Sequence, residues 1–209
     1  MTAVWSSQPQ VKHPDPDRTT RFGRWLFERR TLIPIPLAVP LLLLPSGLTH
    51  SAALLAGGIA LVAAGETIRL WAVHHIGAIS RTRSDRLGPL VDTGPFGLVR
   101  NPLYLGNVML WAGFAMLARM IWMVPVVVLL LGLEYHAIVR WEERLLESRL
   151  GERYRGYLAR VPRWMPRLAA DTAEPPTAPY SWRETLFSER GTLIAIALGS
   201  LALFLKLGT

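Results

Sequence analysis

The chain has 209 residues, 51% of them hydrophobic, a formal net charge of +8 and no cysteine. That length suits a single domain, and the lack of cysteine excludes disulfides, thiolate nucleophiles and cysteine metal sites. The apolar residues come in uncharged blocks, not in the alternation of half-buried strands.

Residues 1–20 are polar and proline-rich, the composition of a mobile tail. No apolar run of signal-peptide length precedes Arg30, so no cleaved signal is expected and the first span serves for insertion. Phe22–Arg30 reads as an amphipathic lead-in, with Trp25, Leu26 and Phe27 in the membrane interface and Arg24, Arg29 and Arg30 facing phosphates.

Five blocks follow: Thr31–Leu44, Ser51–Gly65, Pro102–Ala118, Met120–Leu133 and Gly191–Leu205. Each is shorter than the roughly 20 residues that cross a bilayer comfortably. Extending the second through Glu66 to Trp71 and the fourth through Glu134 to Val139 restores full length by admitting ionisable residues. Soluble core helices are the plainer alternative; the eight tryptophans flanking or ending the blocks favour the membrane. The expected fold class is therefore all-α, a polytopic membrane protein of about five transmembrane helices.

Of the 23 lysines and arginines, all but Arg119 and Lys206 then fall on one face. Positive short loops mark the cytoplasmic side, so the N-terminus is expected inside and the C-terminus outside, with a bacterial inner membrane as the setting. The basic faces suit anionic head groups. Nucleic acid is not an expected partner, since the basic residues are spread over three segments without a binding motif. Oligomeric state is not legible.

Within span one, Pro40 should kink the helix. Gly57-Gly58 and the alanines of span two allow close helix contact. Glu66 and Arg69 stand one turn apart and can pair, as a functional pair or a plain interface pair. His74 and His75 point about 100° apart on a helix and make poor joint metal ligands; no metal site is expected. Leu26–Ile33 resembles Leu186–Ile194, each placing Glu-Arg just before a span. Arg81, Arg83 and Arg86 in the following loop suit lipid head groups. The expected divisions are a tail and interfacial helix (1–30), a hairpin of two spans (31–73), a catalytic region (74–168), a linker (169–185) and the last span (186–209).

Two stretches carry chemistry. Asp92–Asn107 reads DTGPFGLVRNPLYLGN: a turn at Gly94-Pro95, then Pro102 in the first turn of span three. A helix N-terminus there offers free N–H donors and a positive end to an anion, and Gly106 permits close approach to the backbone. Alone, this is also the pattern of an ordinary capped membrane helix. Trp141–Pro166 reads WEERLLESRLGERYRGYLARVPRWMP. His136, Arg140 and Glu143 stand at i, i+4 and i+7 on one face, with Glu142 beside them. A carboxylate here can hold a ribose diol or offset a cation; a solvated charged helix fits the spacing equally.

Residues 88–166 resemble the isoprenylcysteine carboxyl methyltransferase and phospholipid methyltransferase superfamily of membrane enzymes. The superfamily pattern GPY…RHPxYxG, EE, FGxxYxxYxxxVPRxxP is met by GPF…RNPLYLG, EE and LGERYRGYLARVPRWMP. The resemblance implies S-adenosylmethionine bound in a cytoplasmic-face pocket and a lipophilic acceptor, a phospholipid amine or a prenylcysteine-like carboxylate. It places donor contacts at Leu90, Val91, Phe96, Asn101, Pro102, Leu103, Tyr104 and Glu142. Arg100, Gly106, Glu143, Tyr154 and Tyr157 are further motif members, and Arg100 and Gly106 are taken with the donor site. Asn101 replaces the usual histidine, Phe96 a tyrosine, and Ile138 the arginine that meets substrate in isoprenylcysteine enzymes; Arg140 is its expected substitute. Glu66, His136 and Glu143 are the candidate bases for an amine acceptor. A membrane reductase using NADPH and a non-catalytic adaptor are the rival readings.

Overall fold

A computed structural model describes residues 18–30, 32–46, 51–77, 90–168 and 180–208. Residues 1–17 of the expected tail, the loop with Arg81, Arg83 and Arg86, and most of the linker lie outside the described residues, and residues 18–20 of that tail are the start of a helix. The helices are α1 (Arg18–Arg29), α2 (Ile35–Leu43), α3 (Ala52–Ile76), α4 (Pro95–Leu98), α5 (Pro102–Leu117), α6 (Met123–Leu150), α7 (Glu152–Arg160) and α8 (Trp182–Gly208). No strand occurs among the described residues. The architecture is that of an all-α, polytopic membrane protein.

Three helices, α3, α6 and α8, of 25, 28 and 27 residues, are long and apolar enough to cross a membrane. Each runs on through ionisable residues that stand at the edge of its apolar block: Glu66 and Arg69 in α3, Glu134 in α6, Glu189 and Arg190 in α8. The third block is the shorter α5, 16 residues or about 24 Å at the helical rise of 1.5 Å per residue. The first is only the nine-residue α2, with Pro40 inside it, about 14 Å long against a hydrocarbon core of about 30 Å. The five expected blocks thus become three helices of crossing length, one shorter apolar helix and one short helix. Ser51 caps α3, its hydroxyl accepting from the Leu54 N–H at 3.4 Å.

The close contact expected of Gly57-Gly58 is made with α5. A Cβ on Gly58 would lie 3.1 Å from the Gly113 carbonyl oxygen, and one on Gly65 would lie 2.7 Å from that of Gly106. Position 58 meets 113 and 65 meets 106, so the two helices run antiparallel, with small residues seven apart on each. With lipid on the outside, apolar burial does little to hold helices together; close backbone packing does more. Gly65→Val therefore forces backbone apart. We expect it to lower stability by about 3 kcal/mol, whereas Gly132→Ala, with nothing within 4 Å of the added carbon, should be neutral or gain up to about 1 kcal/mol. Thermal unfolding of both variants in one detergent checks the contrast.

α1 lies along α6. Gly23 sits against the Ala137 carbonyl and Trp141, and the Phe27 and Trp141 rings are 4.8 Å apart. Leu26 and Phe27 join a buried cluster with Val127, Leu131, Tyr135 and Ile138. Of the three residues expected at the interface, only Trp25 is exposed. A second cluster, Leu41 with Met120, Met123 and Leu203, closes the opposite end, where the Lys206 ammonium donates to the Leu41 carbonyl at 2.7 Å and Arg119 borders a cavity with Ser51 and Leu207. Arg119 and Lys206 stand at this end. The end of α3, the starts of α5 and α8, the end of α6 and α7 gather at the other.

Candidate functional site

The site is built where two distant stretches close on each other. The Arg100 N–H donates to the Pro162 carbonyl at 2.9 Å, and the Arg167 N–H to that of Leu98 at 3.1 Å. The Tyr157 hydroxyl donates to the Phe96 carbonyl at 2.9 Å, and Arg167 Nε to that of Gly97 at 3.0 Å. Leu90 packs into a buried cluster with Tyr154, Tyr157 and Val161. Burial pushes both phenols above their ordinary range, so Tyr157 remains a donor at any physiological pH. Gly94, at φ 59°, lets the turn before α4 pass over the His75 ring.

Glu143 clamps this loop pair to the end of α6. One of its oxygens accepts from Arg100 Nη1 at 2.7 Å, and both accept from Arg163, one from Nε at 3.1 Å and one from Nη2. These are charge-assisted contacts in a largely shielded place, with side-chain exposures of 12% for Glu143 and 15% for Arg100. Asn101 adds a bond from Nδ2 to the Arg163 carbonyl, 3.1 Å. Because its side chain is turned there, Asn101 stands at the N-cap of α5 without capping it. Pro102 fills the first turn, where a missing N–H is no loss. The other first-turn N–H groups have no intrahelical partner.

Glu142 is turned about 100° from Glu143 by the helix and meets α5. The Tyr104 hydroxyl lies 3.1 Å from each of its carboxylate oxygens. Tyr104 in turn stacks on Tyr135, centroids 4.6 Å apart. The charge of Arg30, at the end of α1, also acts on Glu142 and Tyr104. So Phe96, Arg100, Asn101, Pro102, Tyr104, Glu142 and Glu143 come together, with Leu90 beneath them. Val91 and Leu103 lie half-buried in the same segments.

The remaining expected residues lie elsewhere. Gly106 does permit close approach, but by α3: a Cβ there would lie 2.6 Å from Arg69 Cγ. His136 and Arg140 are exposed, on a side of α6 different from that of Tyr135 and Glu142. Ile138 is fully buried. Glu66 belongs to a separate buried cluster, in which Arg69 stands 3.5 Å from Glu66 and 2.6 Å from Glu189 of α8, and also donates to Asn107 and Thr192. That cluster touches the site through Asn107, whose side chain bonds Tyr135. Three residues went unassigned in the sequence. Arg163 stands inside the VPRWMP motif, Glu189 inside the repeated Glu-Arg segment, and Glu134 inside the ionisable stretch of span four.

The model of the family described as "Phospholipid methyltransferase" matches residues 53–153. A nickel-cobalt-cadmium resistance protein, NccN, of Alcaligenes xylosoxydans xylosoxydans is 32% identical over 124 residues, 59% of this chain and 55% of that protein. A cobalt-zinc-cadmium resistance protein, CzcN, of Cupriavidus metallidurans is 31% identical over 112 residues, 54% of this chain and 47% of that protein. The chain spans about half the length of these curated relatives. No solved structure matches it. Over residues 53–153, which hold α3 to α6 and both glutamates of the site, the chain is similar to the phospholipid methyltransferase family.

Proposed function

We propose that the chain is an S-adenosylmethionine-dependent methyltransferase that acts at the membrane on a lipophilic acceptor. The observation that carries this is the Tyr104–Glu142 pair, 3.1 Å at both oxygens, beside an α5 N-terminus that its N-cap residue Asn101 leaves uncapped. The donor set fits such a molecule. First-turn N–H groups of α5 suit its carboxylate, the Glu142 carboxylate suits a ribose diol or a positive sulfur, and Arg100 Nε is buried without a hydrogen-bond partner among the described residues. When bound, the donor supplies an electrophilic methyl group. The chain's own residues do the rest. Glu143, engaged by Arg100 and Arg163, holds the loop pair closed. Tyr104 and Tyr135 form an apolar wall that keeps water from the acceptor side. Proximity and exclusion of water are what such a displacement needs from a protein, with no metal required.

Glu143 is then a positioning residue, since both of its oxygens are occupied by guanidinium groups. Metal resistance, as the relatives are named, would be a consequence of altered lipids. Full-length protein in vesicles, supplied with methyl-labelled S-adenosylmethionine, should pass label into extractable lipid. Label that stays wholly in the aqueous phase, across both amine and carboxylate lipids, would refute the proposal.

A further inference from the structure

The structure leaves one ionisable group in the apolar half of α6 without a role. Glu134 is 6% exposed, and neither carboxylate oxygen has a hydrogen-bond partner among the described residues. Buried polar atoms are nearly always satisfied, and an ionisable residue inside a span points to function. Glu134 sits on the face of α6 that carries Val127, Leu131 and Ile138, the residues that pack against α1, α2 and α5. It is two turns from Glu142, about 12 Å deeper along the helix. The other candidate bases are engaged or misplaced: Glu66 by Arg69, Glu143 by two arginines, and His136 by exposure.

We infer that Glu134 is the residue that takes the proton from a lipid-borne ammonium acceptor, making the nitrogen nucleophilic inside the membrane. This rests on the methyltransferase reading above. A carboxylate acceptor needs no base and would be repelled by Glu134; an ammonium is drawn to it. In a low-dielectric site the ion pair relaxes by proton transfer, because charged groups are costly there. The ammonium N–H proton passes to a Glu134 oxygen. The freed nitrogen lone pair forms the N–C bond as the C–S bond breaks, and that bonding pair stays on sulfur. Charge balances: ammonium, carboxylate and sulfonium become a methylated ammonium, a carboxylic acid and a thioether, and the acid afterwards releases its proton to water. Tyr135 adjoins Glu134 on α6. The elements packed on this face bring Arg30 from the end of α1 and Tyr104 from α5; α2 has no titratable side chain.

The test uses the full chain in nanodiscs of phosphatidylcholine, with and without dioleoylphosphatidylethanolamine. Glu134→Gln should lower transfer to the amine lipid at neutral pH by about 100-fold, and the variant's rate should rise about tenfold per pH unit as bulk solvent supplies the neutral amine. Glu134→Asp should recover part of the rate. Affinity for S-adenosylhomocysteine should stay within about twofold for both variants. Adding the amine lipid should change a carboxyl infrared band that Glu134→Gln lacks, a readout independent of turnover. Glu134→Leu serves as a folding control, since it removes the buried acid altogether. Unchanged transfer by folded Glu134→Gln or an unchanged carboxyl band would overturn the inference. So would a wild type that binds S-adenosylhomocysteine yet leaves the amine lipid unmethylated, while the donor site would stand. Failure to bind S-adenosylhomocysteine would instead refute the methyltransferase reading itself.

Discussion

Arg69→Leu is expected to destabilise the protein by about 3–5 kcal/mol, because breaking a buried ion pair leaves an uncompensated charge. Arg69 is the hub of three helices. From α3 it reaches Glu189 of α8 at 2.6 Å, and it donates to Asn107 of α5. Glu189 is 1% exposed and Glu66 8%. Without the guanidinium, both carboxylates would lose the buried cation they share. The loss should appear in thermal melts as a fall on the order of 10 °C, given about 2–4 °C per kcal/mol for a chain of this size. Arg69→Leu with Glu189→Leu should recover a good part of it, since apolar pairs often replace buried ion pairs at little loss. No recovery would mean that Arg69 stabilises α3 through Asn107 and Thr192 alone. The double substitution also asks whether α8, whose apolar stretch is otherwise almost wholly exposed, is anchored mainly at this point.

Glu143→Ala should be nearly as damaging, but locally. Two guanidinium groups would lose a shared, shielded partner, at about 3 kcal/mol. The freed stretch is 161–167, held otherwise by the Pro162, Leu98 and Gly97 backbone contacts and by Asn101. We expect new proteolytic cleavage in that stretch before the spans unfold, and affinity for S-adenosylhomocysteine reduced by about tenfold. Glu143→Gln keeps an acceptor for one arginine and should fall between the two. If Glu143 were the base, Glu143→Gln would abolish turnover while leaving the cleavage pattern unchanged; the doubly occupied carboxylate predicts the reverse order of effects.

The convergence of the two motif stretches was legible because it is written in local, position-specific residues. Gly94 and Pro95 set the turn, Pro102 sets the start of α5, and Tyr157 and Arg163 stand at fixed distances from Glu142-Glu143. Which neighbours those residues choose was less so. Glu142 and Glu143 are adjacent in sequence, and only the turn of the helix sends one to Tyr104 and the other to the arginines. His136 and Arg140 share a helical face with each other, but spacing does not say whether that face meets protein or surroundings; here they are exposed. The uncharged blocks are shorter than the helices because ionisable residues stand at their edges, and extending the second and fourth through Glu66 and Glu134 approaches the observed α3 and α6. Glu66 and Arg69 are tolerated inside α3 because Glu189, 120 residues later, completes their cluster, and no local pattern announces such a partner. The Glu-Arg repeat did point to Glu189, but its first copy behaves differently: Glu28 is exposed and pairs with Arg24 at 3.1 Å. The α3–α5 contact was legible as small residues, though not as a pairing, since Gly58 and Gly65 could have faced any neighbour.

The most direct measurement is isothermal titration of the folded, detergent-solubilised full chain with S-adenosylhomocysteine, comparing wild type, Glu142→Ala and His136→Ala. A site formed by the start of α5 and Glu142 predicts saturable binding that Glu142→Ala weakens by roughly 10- to 100-fold and His136→Ala leaves unchanged. Folded wild type that binds nothing, or binding indifferent to Glu142→Ala, would contradict it.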